Sequence, residues 1–203
     1  MKHIVITWWP HAGKSSFLPK IAKHIESHWY EVKLIPEMAT LLYNEWIHPH
    51  FQNITTFEFQ SKIVTRYLNQ LALILSDPYL LSDKLVIISD RRIPDWSAYM
   101  SPSEYEHSLF EHKLTEEIVM SQIDWVLHLE STALIWLLDI QTNLARAWMS
   151  VHDAIELEHK TQEAYTDYAY KRIIISNLDW SGAPIDTETK LHHAKKAIMQ
   201  LMV

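Results

Sequence analysis

Gly13-Lys14-Ser15 stands six residues beyond the apolar run His3-Ile4-Val5-Ile6-Thr7, and these three residues can do phosphate chemistry. The pattern G-x-x-x-x-G-K-[ST], between a strand and a helix, cradles nucleotide phosphates. Its backbone N–H groups converge on the anion, the helix N-terminus adds its positive end, and the lysine adds a point charge. In this chain Trp9, Pro10, His11, Ala12, Gly13, Lys14, Ser15 and Ser16 would form the cradle. Lys14 would hold the β- and γ-phosphates, and Ser15 would ligate Mg²⁺. Loop length and flanking pattern fit, but Trp8 occupies the place of the first glycine.

The chain holds only 2 glycines and as many as 9 tryptophans, where average usage predicts roughly 14 glycines. Turns and helix C-termini call for glycine because it alone adopts φ > 0 without a Cβ penalty. Trp29 follows an amphipathic helix and precedes a strand, where a C′ glycine is expected. Trp96 in Pro94-Asp95-Trp96-Ser97 and Trp180 in Asp179-Trp180-Ser181-Gly182 read as turns. The contexts of Trp8, Trp9 and Trp29 are the most glycine-like, those of Trp46, Trp136 and Trp148 less so, and Trp125 suits an apolar strand. A UGA codon, glycine in some bacterial codes and tryptophan in others, would produce this pattern. With indoles at 8 and 9, a cost on the order of 1–3 kcal/mol in loop strain is expected, together with steric exclusion of the nucleotide.

Further polar residues stand where strands should end. Asp90 closes Leu85-Val86-Ile87-Ile88-Ser89 and could hold Mg²⁺ or take a proton from an attacking hydroxyl. Ligands of open α/β sheets bind at that edge. Arg91 beside it could contact substrate. Glu37, after the second strand, could receive a substrate hydroxyl or serve as a helix-start carboxylate. Arg146 precedes a charged helix and is a candidate stabiliser of phosphate charge. Neither His48-Pro49-His50 nor His192-His193 has the spacing of a zinc helix.

The elements that must position these groups alternate. Strands are expected over 3–7, 31–35, 85–89, 125–129 and 172–176, and helices over 14–28, 38–44, 55–75, 102–110, 114–122, 151–168 and 187–202. Residues 132–149 mix helix and loop signals, and a lid is expected within 132–168. The alternation predicts an α/β fold with a mostly parallel, roughly five-stranded sheet covered on both faces, as one domain over 1–203. A net charge of −7 argues against a nucleic-acid footprint. The absence of cysteine rules out disulfides and thiolate metal sites. Neither a signal peptide nor an apolar span of membrane length is seen, so a cytoplasmic protein with no membrane partner is the expectation.

The chain resembles the small P-loop ATPases related to nucleoside and nucleotide kinases, including the AAA-like ATP-binding domain of ribosylnicotinamide-kinase type. The likeness rests on Ile4-Val5-Ile6-Thr7 leading to Gly13-Lys14-Ser15-Ser16, Tyr30-Glu31-Val32 before Pro36-Glu37, and Ser89-Asp90-Arg91 before Ile93-Pro94-Asp95. It extends to Ile123-Asp124 before Val126-Leu127-His128-Leu129, and to Arg146. It implies a three-layer P-loop NTPase fold and ATP·Mg²⁺ bound at Lys14 and Ser15. Asp90 would be the acidic catalytic or metal-linked residue, and the phosphate acceptor an unidentified small molecule. A nucleotide-binding regulatory module or a pseudo-enzyme is the alternative.

Overall fold

The computed structural model describes residues 1–8, 14–79, 83–130, 150–167 and 169–202; for 8, 14–16 and 151 the backbone alone is described. Among the described residues the elements run in the order β1 (Lys2–Trp8), α1 (Lys14–Glu26), β2 (Glu31–Ile35), α2 (Met38–Asn44), α3 (Thr56–Ser76), β3 (Leu85–Asp90), α4 (Ile93–Ser97), α5 (Pro102–Glu111), α6 (Glu116–Ser121), β4 (Trp125–Leu129), α7 (Val151–Asp167), β5 (Arg172–Ile175) and α8 (Thr187–Met202). The strands form one parallel sheet ordered β2-β3-β1-β4-β5. β1 lies at its centre, with β3 on one side and β4 on the other.

Both faces are covered, which is why β3 reads as an unbroken apolar run. One face carries Ile4, Ile6, Val86, Ile88, Leu127 and Leu129 against α1 and α8. Beyond the other face, Leu85 and Ile87 pack with Ile63 and Tyr67 of α3, and Val5 and Val126 pack with Tyr165 of α7. These three layers are the α/β arrangement expected from the sequence.

Local signals set the helix starts. α3 opens with a capping box in which the Thr55 hydroxyl accepts from the Glu58 N–H and the Glu58 carboxylate accepts from the Thr55 N–H. Ser101 and Glu104 do the same for α5, with Pro102 at its first position. Pro19 lies inside α1 without interrupting it.

Two expectations need correction. Pro94 to Ser97, read as a turn, belongs to the short helix α4, so Trp96 is helical and buried, edge-on to Tyr67 at 5.5 Å. Trp46, ranked with the less glycine-like positions, has φ 62 beside φ 68 at Trp29. Residues 131–149, about half of the expected lid, lie outside the described residues.

Candidate functional site

Strand register brings the acidic and basic candidates together. Ile6 of β1 pairs with Asp90 of β3, and Ile35 of β2 pairs with Ser89. The chain therefore leaves β2 and β3 at one level, and two residues later Glu37 and Arg91 meet. Arg91 Nε lies 3.3 Å from Glu37 Oε1, with both side chains buried. Arg91 also donates from Nη1 to the Tyr99 hydroxyl at 3.0 Å, and Glu37 accepts from the Thr40 hydroxyl at 2.8 Å. Burial works against the Arg91 charge, yet Tyr99, Glu37 and Asp95 outweigh it and hold the guanidinium more firmly protonated than usual.

Arg91 has φ 65. The other non-glycine residues with positive φ among those described, Trp29, Trp46, Lys113 and Ala169, follow helices, where left-handed backbone is common. Arg91 instead follows a strand, held by its N–H donating to Ile6 O at 3.0 Å. Strained backbone of this kind persists where surrounding structure over-determines it, and clusters at functional sites.

Asp90 ends β3 beside the last residues of β1 and is 9% exposed. The backbone of Lys14, Ser15 and Ser16 opens α1, the first helix after β1. Trp9, Pro10, His11, Ala12, Gly13 and Arg146 lie outside the described residues. For Mg²⁺ the described donor is the Asp90 carboxylate at the end of β3, and one or two carboxylates completed by substrate phosphates and water suit that ion. Among the described residues no group of three or more His, Asp or Glu is arranged to hold a metal on its own.

Two buried ties at this edge were not read from the sequence. Asp95 of α4 accepts from the Thr7 hydroxyl of β1, from the Tyr165 hydroxyl of α7 at 2.5 Å and from the Arg92 N–H at 2.8 Å. His128 Nε2 of β4 lies 2.6 Å from Glu158 Oε1 of α7, both fully buried. These partners are 88, 70 and 30 residues apart for Thr7–Asp95, Asp95–Tyr165 and His128–Glu158, so no local spacing signals them. A separate cleft of about 680 Å³ lies between α2 and α3, lined by Leu42, Ile54, Phe57, Arg66 and others, and holds none of Glu37, Asp90 or Arg91.

An AAA domain family matches residues 3–182. No curated protein sequence matches the chain. Among solved structures, a deoxyadenosine kinase from M. mycoides, with the products dCMP and a flexible dCDP bound, superposes with a TM-score of 0.61 at 16% identity. The match covers 98% of this chain and 99% of that one, and at this identity it speaks to the fold. No helix among the described residues is long and apolar enough to cross a membrane.

Proposed function

The chain belongs to the AAA domain family, and from that premise we propose that it is an ATP-dependent phosphoryl transferase acting on a small, nucleoside-like acceptor. The buried Arg91–Glu37 pair beside Asp90, at the sheet edge where α1 begins, carries this reading. A merely structural ion pair needs neither a left-handed backbone at its arginine nor a place at that edge.

In this reading Lys14 neutralises the β- and γ-phosphates, while Ser15 and Asp90 would hold Mg²⁺. Mg²⁺, when bound, offsets phosphate charge. The acceptor hydroxyl sits against Arg91 and Glu37. Its oxygen forms the new bond to the γ-phosphorus, the bond to the β–γ bridging oxygen breaks, ADP leaves, and the proton passes to a carboxylate, Glu37 or Asp90. Arg146 adds positive charge over the transferring group. Catalysis here is chiefly positioning and charge stabilisation.

Titration with Mg·ATP, followed by ADP release with deoxyadenosine or deoxycytidine as acceptor, tests this. Trp8→Gly with Trp9→Gly is expected to bind ATP in the micromolar range and turn over, and the chain with both tryptophans to bind far more weakly. Equal affinity of the two forms defeats the steric argument. No binding by either defeats the nucleotide reading. Binding without any acceptor-dependent ADP release favours the second reading, a non-catalytic nucleotide-binding module. The pseudo-enzyme alternative predicts no binding at all by the chain that keeps Trp8 and Trp9.

A further inference from the structure

Asp95 is 2% exposed and ties two segments far from it in the sequence to the start of its own helix. Thr7, the next-to-last residue of β1, donates to one carboxylate oxygen, and Tyr165 and the Arg92 N–H donate to the other. Arg91 lies near enough to stabilise the carboxylate charge, while burial lifts its affinity for a proton above the ordinary range. Glu158, two turns before Tyr165 on α7, binds His128 of β4, the residue paired with Thr7 across the sheet. Thus α7 is fixed to the central strands by two buried polar ties on one helix face, seven residues apart.

A buried carboxylate with several donors is strongly directional, and loss of one partner leaves the others imperfectly satisfied. Apolar packing alone tolerates small sliding of a helix over a sheet; this arrangement does not. We propose that Asp95 is a positioning residue: one buried carboxylate that locks the end of β1, the Arg91 turn and α7 into a single arrangement, so that the strand feeding the phosphate loop and the acceptor arginine move as one. The catalytic side of this inference rests on the phosphoryl-transfer reading; the mechanical coupling does not.

Hydrogen exchange on the intact chain separates the two. Tyr165→Phe removes one donor on α7, and Thr7→Val removes one on β1 with little change of shape, so the test survives if Asp95→Asn fails to fold. Coupling predicts that Tyr165→Phe speeds exchange at the Thr7, Trp8 and Arg92 amides by roughly tenfold, and that Thr7→Val does so at the end of α7. Tyr170→Phe, which keeps the ring edge-on to Tyr165 and removes a hydroxyl that donates to Glu116, leaves those amides at the parent rate. Changes confined to the mutated element, or an equal response to Tyr170→Phe, overturn the proposal.

In the Trp8→Gly, Trp9→Gly chain with deoxyadenosine as acceptor, Thr7→Val and Tyr165→Phe should each lower kcat by roughly tenfold while KM for ATP stays within about twofold. Unchanged kcat per folded molecule overturns the positioning role. Absence of turnover in that parent chain refutes phosphoryl transfer instead, and the exchange pattern still decides the coupling.

Discussion

Arg91 Nε and Glu37 Oε1 lie 3.3 Å apart, with their side chains 7% and 9% exposed, at the ends of neighbouring strands. A buried pair gains little over apolar residues of the same shape, but removing one partner strands a charge and costs about 3–5 kcal/mol. Glu37→Gln is therefore expected to lower stability by about 3 kcal/mol in urea denaturation. Glu37→Gln with Arg91→Met should cost clearly less than the sum of the two single changes, because the double change leaves no stranded charge. Additive losses would show that the two groups do not support each other.

Trp29 and Trp46 are well exposed, with φ 68 and φ 62. At Trp46 the geometry is that of a Schellman motif: its N–H donates to Tyr43 O at 3.0 Å, and the Ile47 N–H donates to Leu42 O at 2.9 Å. A side chain in that backbone region costs about 1–2 kcal/mol, which glycine avoids. Trp29→Gly and Trp46→Gly are each expected to raise stability by about 1 kcal/mol. Trp96→Gly removes a buried indole and should cost about 3–5 kcal/mol or more. Thermal midpoints of the three variants check this, and UGG codons at 29 and 46 in the gene would end the decoding explanation for those positions. A loss of stability at Trp29 and Trp46 would show that their indoles hold the chain by contacts stronger than the backbone cost.

The sheet was legible because β1, β3, β4 and β5 each carry a short apolar run and β2 alternates charged and apolar residues before Ile35, and long helices such as α3 and α8 because their apolar spacing persists over several turns. α4 was not, since five residues are too few for periodicity, and Pro94-Asp95 signals a turn as readily as a helix start. Glu37 and Arg91 could each be singled out as strand-end residues. Their pairing could not, because it depends on Ile35 facing Ser89 across the sheet. The Thr7–Asp95–Tyr165 tie was illegible for the same reason: three elements distant in sequence converge only once the strands are in register. Trp46 was misjudged because left-handed backbone after α2 depends on where that helix stops.

His3 lies buried in β1, with Nε2 2.7 Å from Ser89 Oγ. Burial, reinforced by the nearby Arg92 charge, holds its proton affinity well below the ordinary histidine value of 6.5. The folded chain thus keeps His3 neutral where the unfolded chain protonates it. Its contribution is complete above pH 6.5 and is lost as pH falls towards the folded value, at up to about 1.4 kcal/mol per pH unit. Urea denaturation at pH 7.5, 6.5 and 5.5 should show falling stability, and His3→Gln should flatten that slope. Parallel slopes for the two chains would place the acid sensitivity elsewhere, His24 and His48 being shifted in the same direction.

Lys190 shows the same linkage at the basic end. Its ammonium is buried in α8 and donates at 2.5 Å to both Glu130 O and Asn177 Oδ1. Burial lowers its proton affinity from 10.5 to about 8, against the opposing pull of Glu130 and Glu158. Between those values the unfolded chain binds the proton more tightly, so stability linked to Lys190 rises as pH increases from about 8 to 10.5, by about 3 kcal/mol in total. It is lost again as pH falls from 10.5 to about 8. Lys190→Met carries no proton to lose, so its denaturation curves, compared with the parent at pH 7.5, 9 and 10.5, should lack this rise while sharing every other basic-range effect. A stability difference between the two chains that stays constant across the range would mean that the lysine is as readily charged in the fold as out of it.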